Sequence, residues 1–218
     1  NEIGSIFRLA GKVLPMTLQD AQLQAFLDNG DCILGEKDIP EYVRTTGCGI
    51  NKVSLVPELC MPMEETVRDI NEADIIVLGP GSLYTSVIPN ILVNGIPELI
   101  CQSKATVFYI CNLMTQPGET DNFNVYDHVN AIIKHSSKYM IDYVIANDQL
   151  ISESQIENYK FKGAKQVMID ENQIRRLEEM NIKVISSNFV DIRNNYIRHN
   201  SEKIGKLLMN YTKEKNMA

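Results

Sequence analysis

Residues 73–86 read ADIIVLGPGSLYTS, and the fold turns on this stretch. Residues 74–78 carry four apolar side chains in a row, mostly β-branched, and end at a Gly-Pro-Gly-Ser turn. A continuous apolar run of that length suits a strand buried on both faces, as in a parallel sheet covered by helices. Gly79 and Gly81 let the backbone turn sharply and Pro80 stiffens it, while the hydroxyls of Ser82 and Thr85 arrive where a helix would begin. A glycine turn at the carboxyl end of a parallel strand leaves backbone N–H groups for a phosphate, and open α/β sheets bind ligands there. One reading is therefore a phosphate or nucleotide cradle. The other is a plain strand exit: Tyr84 stands where the dinucleotide fingerprint needs its third glycine, and no Gly-Lys-Ser/Thr follows to make a P-loop.

Working outward, residues 87–100 are apolar but punctuated by Pro89, Gly95 and Pro97, which predicts broken short helices. Residues 105–113 (ATVFYICNL) read as a second buried strand. Residues 124–135 put Val125, Val129, Ile132 and Ile133 at helical spacing, with Asn124 as cap and Asp127 in the first turn. Residues 142–146 (DYVIA) form a third strand; Ser152 and Gln155 make a capping box stapled by Ile151 and Ile156, and Gly163 stops that helix. Strands at 165–169 and 182–186 flank a helical turn or two at 171–180, and Ile204, Leu207, Leu208 and Tyr211 give a last helix its apolar face. Toward the amino end, Pro62, Glu64 and Glu65 start a helix that runs to about residue 72. Strands are expected at 12–17, 32–34 and 52–56, and a short helix or polar excursion at 19–28. Strands alternating with helices from residue 74 onward predict an α/β fold with a mainly parallel sheet, one domain over residues 1–218.

A chain of 218 residues with 44% hydrophobic and 22% charged side chains can bury a substantial core. The net charge of −7 argues against a general nucleic-acid or membrane-surface binder. Five cysteines, an odd number with no Cys-x-x-Cys pair, argue against a disulfide framework or zinc site and for a reducing cytoplasm. No apolar run approaches the ~20 residues of a membrane span. The chain starts at Asn1 rather than methionine, so it is expected to be the later part of something longer.

The second chemical segment is NLMTQPGETD, residues 112–121, which leaves the 105–113 strand. If that strand neighbours the 74–78 strand, both loops open on one sheet edge, and Thr115, Gln116, Glu119, Thr120 and Asp121 face the glycine turn. Hydroxyls and amides suit base and sugar recognition; Glu119 and Asp121 suit a divalent cation or sugar hydroxyls. The competing reading is a Pro-Gly turn with solvated acids. His128 and His135 share one helix face and read either as acid–base or metal groups or as packed, hydrogen-bonded histidines. Arg198, with His199 before the last helix, would reach a phosphate or simply decorate the helix entry.

GPGSLYTSVIPNILVNGI, followed about twenty residues later by CNLMTQPGETDNFNVYDHVNAI, resembles the YvcK-like gluconeogenesis factor family, a relative of the CofD-type 2-phospho-L-lactate transferases. Weaker agreement runs from KVLPMT to the Arg-His-Asn segment near the end. The chain departs at its front, which lacks the family's Gly-Gly-Gly-Thr-Gly turn and Asp-Asp-Gly-Gly-Ser-Ser-Gly segment. It thus resembles the later two-thirds of such a domain, and the front would hold half of the nucleotide site. The resemblance implies a Rossmann-like three-layer fold and a cytoplasmic regulator that binds a UDP-sugar or another nucleotide diphosphate. Such a regulator supports gluconeogenic growth, cell shape and peptidoglycan precursor supply, with a protein partner in amino-sugar synthesis and a homodimer among its expected assemblies.

It also implies Gly79, Gly81, Ser82 and Thr85 as the phosphate loop and Asn112, Thr115, Gln116, Glu119 and Asp121 as the facing loop, with Arg198 beyond them. The alternative the resemblance leaves is a magnesium-dependent transferase of the phospholactyl type, with Asp121 or Glu119 on the metal. The absence of tryptophan and the 7% aromatic content disfavour the flat acceptor slot that such a transferase needs. A dehydrogenase fits poorly, because Glu98 lies 17 residues beyond Gly81 inside a proline-broken stretch.

Overall fold

Residues 11–160, 163–194 and 196–217 are described in the computed structural model. The first regular element corrects the short helix or polar excursion expected at 19–28. QLQAFL alternates, so Leu23, Ala25 and Leu27 go inward and β1 (Gln22–Leu27) is a strand. Asn29 and Gly30 turn it back onto β2 (Cys32–Leu34). Next comes α1 (Asp38–Thr46), which the sequence reading missed because its inward face holds only Ile39 and Val43. The strand β3 (Ile50–Val56) pairs antiparallel with the other side of β1, giving the order β2-β1-β3. Residues 12–17 form no strand; Met16 instead accepts a hydrogen bond from the Met63 N–H at 3.0 Å, ahead of α2 (Glu64–Glu72).

Beyond α2 the βα alternation appears as expected. After β4 (Ile75–Leu78), a π-helical turn at Leu83–Val87 runs into α3 (Ile88–Ile91) and then α4 (Ile96–Gln102). There follow β5 (Thr106–Ile110), α5 (Val125–Ser136), β6 (Tyr143–Asn147), α6 (Glu153–Lys160), α7 (Glu171–Glu179) and β7 (Lys183–Ser187). Asn124 and Asp127 close both bonds of the capping box on α5, at 3.0 Å each. The strand expected at 165–169 is absent. That segment makes one bridge, Gln166 to Met114, because its backbone pairs with the loop leaving β5 rather than with the sheet. A hairpin of β8 (Val190–Arg193) and β9 (Tyr196–His199) precedes α8 (Ser201–Met217).

The four parallel strands stand in the order β4-β5-β6-β7, so this is the Rossmann-like α/β sheet that the buried runs predict. Every residue of β5 is buried, whereas β4 forms the sheet edge and leaves Val77 38% exposed. On one face, Val107, Tyr109, Val144 and Ala146 join the main core with Val129 and Ile132 of α5. On the other, Phe108, Ile110 and Ile145 pack beneath Phe189 and Ile204, with Leu207, Leu208 and Tyr211 of α8 against them. Phe108 stacks on Tyr143 at 4.9 Å between ring centroids, and Tyr211 meets both rings edge-on.

His135 fastens the three-stranded sheet to α5. Its Nδ1 donates to the Ala131 carbonyl at 2.7 Å, which leaves Nε2 to accept the Val53 N–H at 3.0 Å. Only the neutral ring can do both. Burial first, then the nearby charges of Lys134 and Lys52, lower its pKa from the ordinary 6.5, against the pull of the Ala131 carbonyl. A folded pKa below the unfolded one gives stability that is complete above about pH 6.5 and declines as the pH falls through the lowered value. Urea unfolding between pH 5 and 8 should therefore show a loss on acidification. The loss should shrink but persist in His135→Gln, since burial lowers His128 and His199 as well.

Candidate functional site

Parallel pairing of β4 with β5, from Ile75 opposite Thr106 to Leu78 opposite Tyr109, brings the two carboxyl ends level. The loops that leave them meet. Gln116 Nε2 donates to Ser82 Oγ at 2.6 Å, and Asn112 Nδ2 donates to Gln116 Oε1 at 3.4 Å. Thr85 Oγ1 donates to both oxygens of the Glu119 carboxylate, at 3.2 and 3.4 Å. Ser82, Thr85, Asn112, Gln116 and Glu119 thus lie together at the sheet edge where the sequence put them.

Glu119 changes what the turn offers. It is 8% exposed, and burial pushes its carboxyl above the usual carboxylate range; the Thr85 hydroxyl and the backbone N–H groups of Tyr84 and Thr85 pull the other way. A carboxylate of the same chain thus already occupies the start of the π-helical turn, held there by the Thr85 hydroxyl. The anion-binding capacity left at this edge lies in Ser82, Gln116, Asn112 and the backbone around Gly81.

Other expected site residues have structural work. Thr115 is buried, and its backbone N–H and side-chain Oγ1 clip the Lys165 backbone at 2.7 and 2.8 Å. Asp121 Oδ2 accepts the Gly118 N–H at 2.7 Å, and the buried Thr120 hydroxyl accepts the Gln116 N–H at 2.9 Å. No group of three His, Cys, Asp or Glu side chains that could hold a metal occurs among the described residues. With Asp121 Oδ2 turned into its own loop and Glu119 bonded to Thr85, these carboxylates are not arranged to hold the magnesium of the transferase alternative. Arg198 is exposed on β9, its guanidinium 5.9 Å from the Tyr196 ring, and among the described residues no hydrogen bond or ion pair joins it to either loop.

The adjacent residue on the opposite side of β9 does reach the sheet edge: His199 Nε2 lies 3.0 Å from the Cys111 carbonyl, which requires the proton on Nε2. Sequence reading passed over His199 because the β8–β9 hairpin that aims it was not recognised. The two helix histidines are packing groups. His128 is fully buried, with Nδ1 on the Asn124 carbonyl at 2.8 Å and its ring against Phe123.

The glycines divide by role. Gly79 has φ +79°, and a Cβ there would lie 3.1 Å from the Ile110 carbonyl. Gly118, at φ +87°, presses on α1, where a Cβ would come 2.3 Å from the Pro40 carbonyl oxygen. A Cβ on Gly81 would meet only Ser86 Cβ at 3.4 Å and Val87 Cγ2 at 3.8 Å, which is ordinary contact. Gly79→Ala and Gly118→Ala should each destabilise the protein by at least ~1–2 kcal/mol from the left-handed conformation alone. Gly81→Ala should unfold within ~0.5 kcal/mol of the parent. Urea titrations of the three variants check this ordering.

Comparison with known proteins agrees with this architecture. The family model described as 2-phospho-L-lactate transferase CofD matches residues 1–190. The gluconeogenesis factor of Bacillus subtilis is 39% identical over 213 residues, covering 98% of this chain and 65% of that protein. A Clostridium acetobutylicum protein given the same name provisionally is 41% identical over 217 residues, covering all of this chain and 48% of its own length. A crystal structure of a UPF0052 family member from Bacillus halodurans superposes with a TM-score of 0.87 at 37% identity, over 94% of this chain and 64% of that one. The chain therefore spans about half to two-thirds of these relatives. No helix among the described residues is long and apolar enough to cross a membrane. By its family match and its relatives, the chain belongs to the CofD family and is similar to the members named gluconeogenesis factors.

Proposed function

We propose that this chain is the nucleotide-sugar-binding part of a cytoplasmic regulator that serves gluconeogenic growth, cell shape and peptidoglycan precursor supply. The observation that carries the reading is the Ser82–Gln116 contact at 2.6 Å beside an uncrowded Gly81. It sets a hydroxyl, two amides and an approachable backbone at the carboxyl end of a parallel sheet, without a metal-binding cluster among the described residues. Neutral donors and open backbone N–H groups suit a diphosphate and its attached hydroxyls. Regulation follows from binding without turnover, through a protein partner in amino-sugar synthesis or a second copy of the chain.

The family model's description favours a second reading, a transferase acting on a nucleoside-diphosphate-linked donor with magnesium. Calorimetric titration separates the two. UDP-N-acetylglucosamine should bind without magnesium and remain unconverted, and Gly81→Ala should weaken binding at least ~tenfold, since a methyl group there blocks backbone approach. A preference for GDP that requires magnesium would establish the transferase instead. Binding by the Bacillus subtilis relative but not by this chain would assign essential contacts to the part of the relative that the chain does not match.

A further inference from the structure

The hydrogen-bonded row at the carboxyl ends of β4 and β5 does not stop at Asn112. Ser82 joins Gln116, Gln116 joins Asn112, and the residue before Asn112 continues the row, because the Cys111 carbonyl accepts the His199 Nε2–H at 3.0 Å. The imidazole of β9 therefore stands one residue away from the amide that the candidate site offers.

What the row lacks is a positive charge. Ser82, Gln116 and Asn112 are neutral, and Glu119 brings a carboxylate to the adjoining turn. Basic side chains of the flanking segments are engaged elsewhere. Lys165 Nζ donates to Asn122 Oδ1 at 2.7 Å, Lys203 Nζ donates to Ser187 Oγ and the Asn188 carbonyl at 2.7 and 2.8 Å, and the Arg198 guanidinium lies over the Tyr196 ring. A diphosphate is charged on both phosphates, and drawing it out of water without a counter-charge is costly.

His199 is built to supply that charge on demand. With Nε2 donating to Cys111, Nδ1 is the acceptor of the neutral ring, and it has no hydrogen-bond partner among the described residues. It is not one of the polar atoms buried without a partner, which are the Tyr109 hydroxyl and His128 Nε2, so it is open to solvent. Protonating Nδ1 leaves the Nε2 anchor intact. The other two histidines differ: His135 has both nitrogens bonded, and His128 has Nε2 sealed in the core. The charged and titratable groups on the elements around His199 are settled. The Cys111 thiol is pushed up to about 12 by burial, Asp191 of β8 pairs with Arg193 at 2.7 Å, Glu202 of α8 pairs with Lys206 at 2.6 Å, and the Tyr159 hydroxyl of α6 accepts the Ile197 N–H at 3.0 Å. Burial lowers the imidazole from its ordinary 6.5, the Cys111 carbonyl opposes this, and no charged group adds to the shift. The free ring is therefore neutral above about pH 7 and has a proton to gain.

We propose that His199 is a phosphate-binding residue of the candidate site: with Nε2–H held on the Cys111 carbonyl, Nδ1 takes up a proton from solvent and donates a hydrogen bond to a phosphate oxygen of the nucleotide sugar. The inference rests on the nucleotide-sugar reading and adds the cation that the neutral donors lack, together with a proton that binding consumes. Arg198 carries its charge permanently, so a phosphate held by Arg198 instead would take up no proton.

The test counts protons. UDP-N-acetylglucosamine has no group that titrates near neutral pH, so its calorimetric titration at about pH 7.5, in buffers of different ionisation enthalpy, reports uptake by the protein alone. The parent chain should take up about half a proton or more per ligand, and its affinity should fall severalfold, at most ~tenfold, for each pH unit above about 7. His199→Gln keeps an amide N–H for the Cys111 carbonyl but cannot take the proton. Shown folded by circular dichroism and melting temperature, it should bind about five- to tenfold more weakly at about pH 7 and lose both the uptake and the pH dependence. Ring NMR of the three histidines in the parent needs no variant: the His199 titration midpoint should rise by about one pH unit or more on binding. No uptake by the parent, an unmoved His199 midpoint, or uptake that persists in folded His199→Gln would overturn the assignment while leaving the nucleotide-sugar reading intact. Failure of the parent to bind UDP-N-acetylglucosamine would overturn that reading and this inference with it.

Discussion

The structure depends on one buried carboxylate. Glu119 sits under the turn that follows β4 and ties it to the loop that follows β5 through the Thr85 hydroxyl. With the Gln116–Ser82 bond, it joins two loops of opposite composition, one glycine-rich and one acidic. An unpaired carboxylate at that depth would be expensive, so the contact either forms as a whole or costs several hydrogen bonds at once. Because Glu119 already supplies the negative charge at the start of the π-helical turn, a ligand's phosphate is left with the neighbouring Ser82, Gln116 and Gly81.

Around that contact, parallel pairing sets distance and packing sets direction. The register of β4 against β5 levels the two loop starts, and the buried β5 holds them there from both faces. Gly118 can press against α1 only because it lacks a side chain, so the small antiparallel sheet and its helix form one wall of a groove next to the site. His135 holds the same module from the other end by accepting the Val53 N–H. The sheet edge and the groove are thereby linked through short, directional bonds.

Much of this was legible in the chain because the signals were local. The apolar runs at 75–78 and 106–110 both become parallel strands, the second buried throughout and the first an edge strand in which only Leu78 is buried, and the Asn124–Asp127 cap appears in the residues themselves. The meeting of the two loops followed from strand order alone. What stayed hidden depended on partners far along the chain. QLQAFL looks polar until its alternate residues find β3, and α1 has too few apolar residues to announce itself. Thr115 and Asp121 look like ligand groups in a string of polar residues, yet one binds the Lys165 backbone 50 residues on and the other caps its own turn. His199 became visible only once β9 carried it to Cys111.

The claim that the two loops act as one locked unit is tested most directly by a double-mutant cycle on Thr85→Val and Glu119→Ala, followed by urea unfolding. The account predicts that the two single losses together exceed the loss in the double variant by at least ~0.5 kcal/mol, as for residues that share one network. Additive losses, within ~0.3 kcal/mol, would show that the loops stand independently and contradict it.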